Sequence, residues 1–142
     1  MRVFRFILRL AAVLALACLA VDAAAQDPRT TEVQAAARNW LVYVDRGDAQ
    51  AAWSAAGKKF QNASTPERWS DDLKKAQAML GKVQQRTIGP ARFQKRISGM
   101  PDGEYAQILF RTIFASKPDG SEQVSLEREA DGQWRVIGYF PR

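Results

Sequence analysis

At Lys82 the spacing of apolar residues changes, and that change limits the chain to one class of fold. Before it, apolar side chains recur every three or four positions, the period of a helix with one buried face. After it they alternate, the period of a strand with one buried side. Helices followed by strands is the order of an α+β domain, in which helices pack on one face of an antiparallel sheet.

The helical half divides into three segments. Val33, Ala37, Trp40, Leu41 and Val44 form one stripe and predict a helix over 31–46, stopped by Gly47. Asp48 is placed to cap a second helix over 49–56, with Trp53 as its large buried residue. Phe60 anchors the connection that follows. Ser64-Thr65-Pro66-Glu67 then joins a hydroxyl cap, a proline in the first turn and an acid near the positive end of the helix dipole. The third helix carries Trp69, Leu73, Ala76 and Leu80 on one face and ends near Gly81.

In the second half, 83–88 and 92–97 read as strand interrupted at Gly89-Pro90, where a bulge or bend is expected. Asp119-Gly120 and Asp131-Gly132 lie between alternating runs and predict hairpin turns. Ala106, Ile108, Phe110, Thr112 and Phe114 share one strand face, matched by Val124 and Leu126 in the next strand. In the last strand Trp134, Val136, Gly138 and Phe140 share a face. The expected fold is three N-terminal helices packed on a curved antiparallel sheet, a β meander of about four strands.

The first 25 residues stand outside that pattern. Arg2, Arg5 and Arg9 form a basic head, and 10–21 is an apolar run. It is shorter than the roughly 20 residues a permanent membrane helix needs. Ala23-Ala24-Ala25 supplies the small residues a signal peptidase accepts. The reading is a signal peptide over 1–25, cleavage between Ala25 and Gln26, and a single domain over 26–142. A periplasmic or secreted location follows, with no stable membrane span after cleavage. The one cysteine, Cys18, falls in the leader. Lipidation there is disfavoured, because Ala15 and Leu16 reverse the large-then-small order such a site requires.

The chain has no histidine, and its only cysteine is in the leader. Thiol nucleophiles, Ser-His relays and Cys/His metal sites are thereby excluded from the domain. Acids are scattered without the spacing of a calcium loop, so neither metal nor cofactor is expected. The formal charge of +6 falls by two once the leader, with three arginines and Asp22, is removed. Lys58-Lys59, Lys74-Lys75 and the group Arg92, Lys95, Arg96 are interleaved with acids and read as solvated faces. No nucleic-acid partner is expected.

Several strings carry a family resemblance: Trp40-Leu41, Asp45-x-Gly47-Asp48, Ala52-Trp53, Trp69 upstream of Leu80-Gly81, and Pro101-Asp102-Gly103-Glu104-Tyr105. The strongest is the ending Asp131-Gly132-Gln133-Trp134-Arg135-Val136-Ile137-Gly138-Tyr139. Together they resemble the domain-of-unknown-function 4019 family of exported bacterial proteins, over nearly the whole of 26–142. The resemblance implies an exported single domain and supplies no activity or catalytic residue. The Asp-Gly-x-Trp-Arg-Val ending is also similar to families with the cone-shaped, cystatin-like fold of nuclear transport factor 2. Many enzymes of that wider group rely on an Asp-His pair, which a chain without histidine cannot form.

Four groups of side chains are candidates for function. Trp40, Trp53 and Trp69 sit one per helix; they either line a mouth or, as their place on the apolar stripes favours, anchor the helices to the sheet. Tyr43 lies off its stripe, and with Tyr105 it is a candidate binding residue. Glu127 and Glu129 share a strand face, with Glu122 nearby; an exposed ion-paired face is favoured over a catalytic carboxylate pair. Arg111 and Arg135 face away from the main apolar side and would bind an anion if their strands were neighbours, cross-strand pairing with acids being the default.

The function expected is a non-catalytic binding or protein-interaction module. Its partner would be an envelope protein, a small ligand or a second copy in a homodimer. The alternatives are a cone-fold enzyme working through carboxylate, Tyr and Arg, and a lipid-anchored envelope component. A deep pocket holding an acid beside Tyr43 or Tyr105 would mark the enzyme; a cavity filled by Trp and Phe would mark the module.

Overall fold

The computed structural model describes residues 27–142. The leader and the Ala25–Gln26 junction lie outside the described residues. Helix α1 (Arg29–Asp45) buries Val33, Ala37, Trp40, Leu41 and Val44, the stripe its spacing predicts. It ends where Gly47 takes φ of +70°, a left-handed conformation that costs a residue without a Cβ little. Asp48 accepts a hydrogen bond from the Ala51 amide at 3.0 Å and so caps α2 (Ala49–Ala55). The stretch around Phe60 is itself helical, α3 (Lys58–Ala63), where only a connection is expected from sequence. Six residues are too few to show a helical period, which is why the pattern does not reveal it. Helix α4 (Pro66–Leu80) starts on the Thr65 cap, whose hydroxyl accepts from the Arg68 amide at 3.2 Å.

The four strands form an open antiparallel meander in chain order: β1 (Val83–Gln94), β2 (Tyr105–Phe114), β3 (Lys117–Arg128) and β4 (Trp134–Pro141). Strand β1 crosses Gly89-Pro90 without ending, by a register shift between Ile88 and Ala91. Gly132 turns the β3–β4 hairpin at φ of +81°, as Asp131-Gly132 predicts. Asp119-Gly120 does not turn. The β2–β3 hairpin closes at Ala115-Ser116, and Asp119-Gly120 lies inside β3 at a bulge between the Thr112–Gly120 and Phe114–Lys117 pairs.

Gly120 is needed at that bulge for space. A Cβ there would lie 2.5 Å from Cδ2 of the Phe114 ring and 3.0 Å from the Thr112 carbonyl oxygen. Phe114 is buried, so its ring or the strand backbone would have to shift. Gly120→Ala is therefore expected to lower stability by about 1–3 kcal/mol, the usual cost of overpacking. Chemical denaturation should show a lower midpoint with an unchanged slope.

The core lies between the helices and one sheet face, where Ala106, Ile108, Phe110, Val124, Leu126 and Val136 are each no more than 1% exposed. Over it sits an aromatic cluster of Trp40, Phe60, Trp69 and Tyr139, with ring centroids 5.0–6.2 Å apart in mostly edge-on arrangements. Each helix tryptophan also ties one segment to another. The ring N–H of Trp40 donates to Ala52 O at 2.8 Å, that of Trp53 to Ser64 O at 2.8 Å, and that of Trp69 to Ala49 O at 3.1 Å. Trp40 and Trp69 are thus buried anchors, whereas Trp53, expected to be the large buried residue of α2, is only half-buried against the core, where Ala49 and Ala52 are buried instead.

Candidate functional site

Glu122 shares strand parity with Val124 and Leu126, so β3 turns its carboxylate into the core, where it is fully buried. A buried carboxylate must be met by donors. Arg86 of β1 supplies two, with Nε donating to Oε2 at 2.5 Å and Nη2 to Oε1 at 2.9 Å. The Thr112 hydroxyl donates to Oε2 at 2.7 Å, and the Tyr139 hydroxyl to Oε1 at 2.6 Å. Four hydrogen bonds fill the acceptor positions of a carboxylate. The outer edge of the Arg86 guanidinium donates from Nη1 and Nη2 to the two oxygens of Asp45, each at 2.8 Å. The cluster therefore joins α1 to β1, β2, β3 and β4.

Each member constrains the others electrostatically. Burial weakens the charge on Arg86, but hydrogen bonds to Asp45 and Glu122 outweigh it and hold the guanidinium protonated more firmly than in water. Burial, and then the negative Glu122 beside it, push the Tyr139 phenol far above its ordinary value near 10. The linkage sign follows. Tyr139 keeps its proton in the folded state while the unfolded phenol ionises near pH 10, so its contribution is complete below that pH and is lost as pH rises above it. Alkaline titration should show stability declining from about pH 10, and Tyr139→Phe should flatten that decline. Absorbance of the phenolate at 295 nm measures the ionisation directly.

Beside this cluster, between α4 and the end of the sheet, lies a cleft of about 380 Å³. Its apolar walls are Val44, Leu73, Leu80, Val83, Phe114 and Pro141. Asp45 and Tyr139 reach it from the polar cluster, and Gln77, Arg46 and Lys82 complete the lining. A second cavity of about 260 Å³ shares Leu73, Ala76, Tyr139 and Pro141 with the first. Both are within or near the size range of small-ligand sites.

Of the residues singled out from sequence, Glu127, Glu129 and Arg135 gather around a separate cavity with Lys58 and Lys59, while Tyr43 and Arg111 stand apart from it and from the cleft. Tyr43 is half-buried against the core, off the cleft. Tyr105 is buried, and its hydroxyl donates to Pro101 O at 2.7 Å. Arg111 is exposed in a row with Thr87 and Ser121. Arg135 lies in the Tyr105–Glu127 row, with β3 between the two arginine-bearing strands, so the pair cannot clamp one anion. Arg135 instead binds Glu129 and Asp131, at 2.9 and 2.8 Å. That pairing holds the Asp131 carboxyl down at about 2. Glu127 accepts from Lys59 at 2.6 Å. Glu127 and Glu129 are ion-paired and not a catalytic pair, but they are half-buried where an exposed face is expected, and Glu122, near them in sequence, points the opposite way into the core.

Among the described residues no group of three or more potential metal ligands gathers, and no helix is long and apolar enough to cross a membrane. The molecule is an open-sheet α+β domain with a closed polar cluster and a cleft at the mouth between helix and sheet. The chain belongs to the DUF4019 family, proteins of unknown function, whose model matches residues 36–139. It is similar in structure to a protein from Catenulispora Acidiphila, with 15% identity and a TM-score of 0.46 over 79% of this chain and 88% of that one. None of the curated proteins matches it.

Proposed function

We propose that this domain is an exported, non-catalytic binding module whose site is the cleft between α4 and the sheet. One observation carries this reading. The titratable groups best placed to do chemistry there are already committed to one another: Glu122 receives four donors, Tyr139 donates to it, and Asp45 holds the far edge of Arg86. A group held in a complete set of hydrogen bonds is a poor general acid or base, since each proton transfer breaks a buried contact. What the cleft offers a visitor is shape, apolar surface and the exposed Arg46 and Lys82 at its rim. The acid beside a tyrosine that would favour an enzyme is Glu122 beside Tyr139, and it is sealed. Tyr43 and Tyr105 have no such cleft.

Export is supported by the basic head, apolar run and alanine triplet at 1–25. Native mass spectrometry of the protein recovered from its host's envelope tests both parts. The expected result is a chain beginning at Gln26 that carries a small-molecule adduct, the adduct being lost in an Ala76→Trp variant. Ala76 borders both cavities, so an indole there intrudes on the space they share. An unprocessed chain in the cytosol would overturn the export reading, and an adduct insensitive to Ala76→Trp would overturn the site.

A further inference from the structure

We infer that the cleft selects an anionic amphiphile, an alkyl chain ending in a carboxylate or similar head group, a reading that rests on the cleft being the binding site. Of the polar groups lining the cleft, Asp45 has both oxygens on Arg86 and Tyr139 has its proton on Glu122. The Gln77 amide nitrogen donates to Val44 O at 2.8 Å, leaving only its oxygen. Arg46 and Lys82 remain. Both are exposed at the cleft, and among the described residues neither forms an ion pair.

The cleft therefore carries two cations that, among the described residues, form no ion pair, against a single net negative charge from the cluster, where one guanidinium serves both Asp45 and Glu122, so the balance at the mouth stays positive. Charge complementarity selects a negative head. Leu73, Leu80, Val83 and Phe114 select an alkyl body, and the adjoining cavity behind Ala76 and Tyr139 leaves room for a chain to extend. Lys and Arg at the rim keep their charge in water while their stems cover the upper part of such a chain. A cationic amphiphile would meet like charge at the mouth, and a neutral one would gain only from the walls.

Titration of the purified protein with decanoate, decanol and decyltrimethylammonium, followed by tryptophan fluorescence and amide chemical shifts, tests this. Decanoate is expected to bind tightest, and the Arg46→Glu, Lys82→Glu double variant to weaken it about five- to tenfold more than it weakens decanol, which loses only contact with the two stems. Both substitutions are on exposed side chains, so the fold survives them, and thermal unfolding checks that it does. Ala76→Trp is expected to abolish binding of all three. If decanol or the cation binds as tightly as decanoate, or the double variant has no effect on decanoate, the head-group assignment is wrong and the cleft reading stands. If no probe binds, or Ala76→Trp leaves binding intact, both fall.

Discussion

Glu122→Ala is expected to cost about 3–5 kcal/mol of folding stability, because it takes one of two carboxylate partners from a largely buried guanidinium and leaves two core hydroxyls without an acceptor. Arg86, with a side chain only 16% exposed, would keep Asp45 but lose its two contacts to Glu122. Thr112 and Tyr139 would each lose an acceptor in the core. A control separates the worth of the cluster from the penalty of breaking it. Replacing both ends with apolar groups, Glu122→Leu with Arg86→Met, removes two charges together and should cost less than the single change. Equilibrium denaturation of the two variants decides the matter: a double variant as unstable as Glu122→Ala would mean the ion pair itself stabilises the fold.

Trp40→Ala is the other large effect, also about 3–5 kcal/mol. Trp40 is 3% exposed, packs edge-on against Phe60 and Tyr139, and ties α1 to Ala52 through its ring N–H. Truncation would open a cavity and strand the Ala52 carbonyl at once. Trp40→Phe keeps much of the packing and loses the hydrogen bond, so its smaller cost combines the lost bond with a reduced packing loss. Since Trp40 touches Tyr139 and Tyr139 bonds Glu122, the two large substitutions share a neighbour. Their costs should fail to add by about 0.5–3 kcal/mol in a double-mutant cycle. Strict additivity would mean that the aromatic cluster and the polar cluster are independent, contrary to the geometry.

Much of the fold is legible in the sequence where a local pattern has a single cheap solution. The α1 stripe, the Thr65-Pro66 start of α4 and the Asp131-Gly132 turn all lie within a few residues of the structure they specify. Legibility fails where a partner distant in sequence decides. Asp119-Gly120 has the composition of a turn, yet Phe114 needs the space above Gly120 and the chain reverses earlier, at Ala115-Ser116. Glu122 carried a signal that could have placed it: its even spacing with Val124 and Leu126 puts it on the apolar face. A glutamate by itself argues for water, and nothing local shows that Arg86 will arrive from 36 residues away.

The candidate site divides in the same way. Absence of histidine and the composition of the leader are properties of the chain, unchanged by any fold, and they bound the chemistry and the compartment expected. Which charges stay free is a property of the fold. Arg46 and Asp45 are neighbours in sequence, yet Asp45 is taken by Arg86, while Arg46 faces the cleft with no ion pair among the described residues. Periodicity and capping are short-range and were settled by the residues alone. Pairing of buried charge depends on distances across the sheet, and only the folded chain sets those.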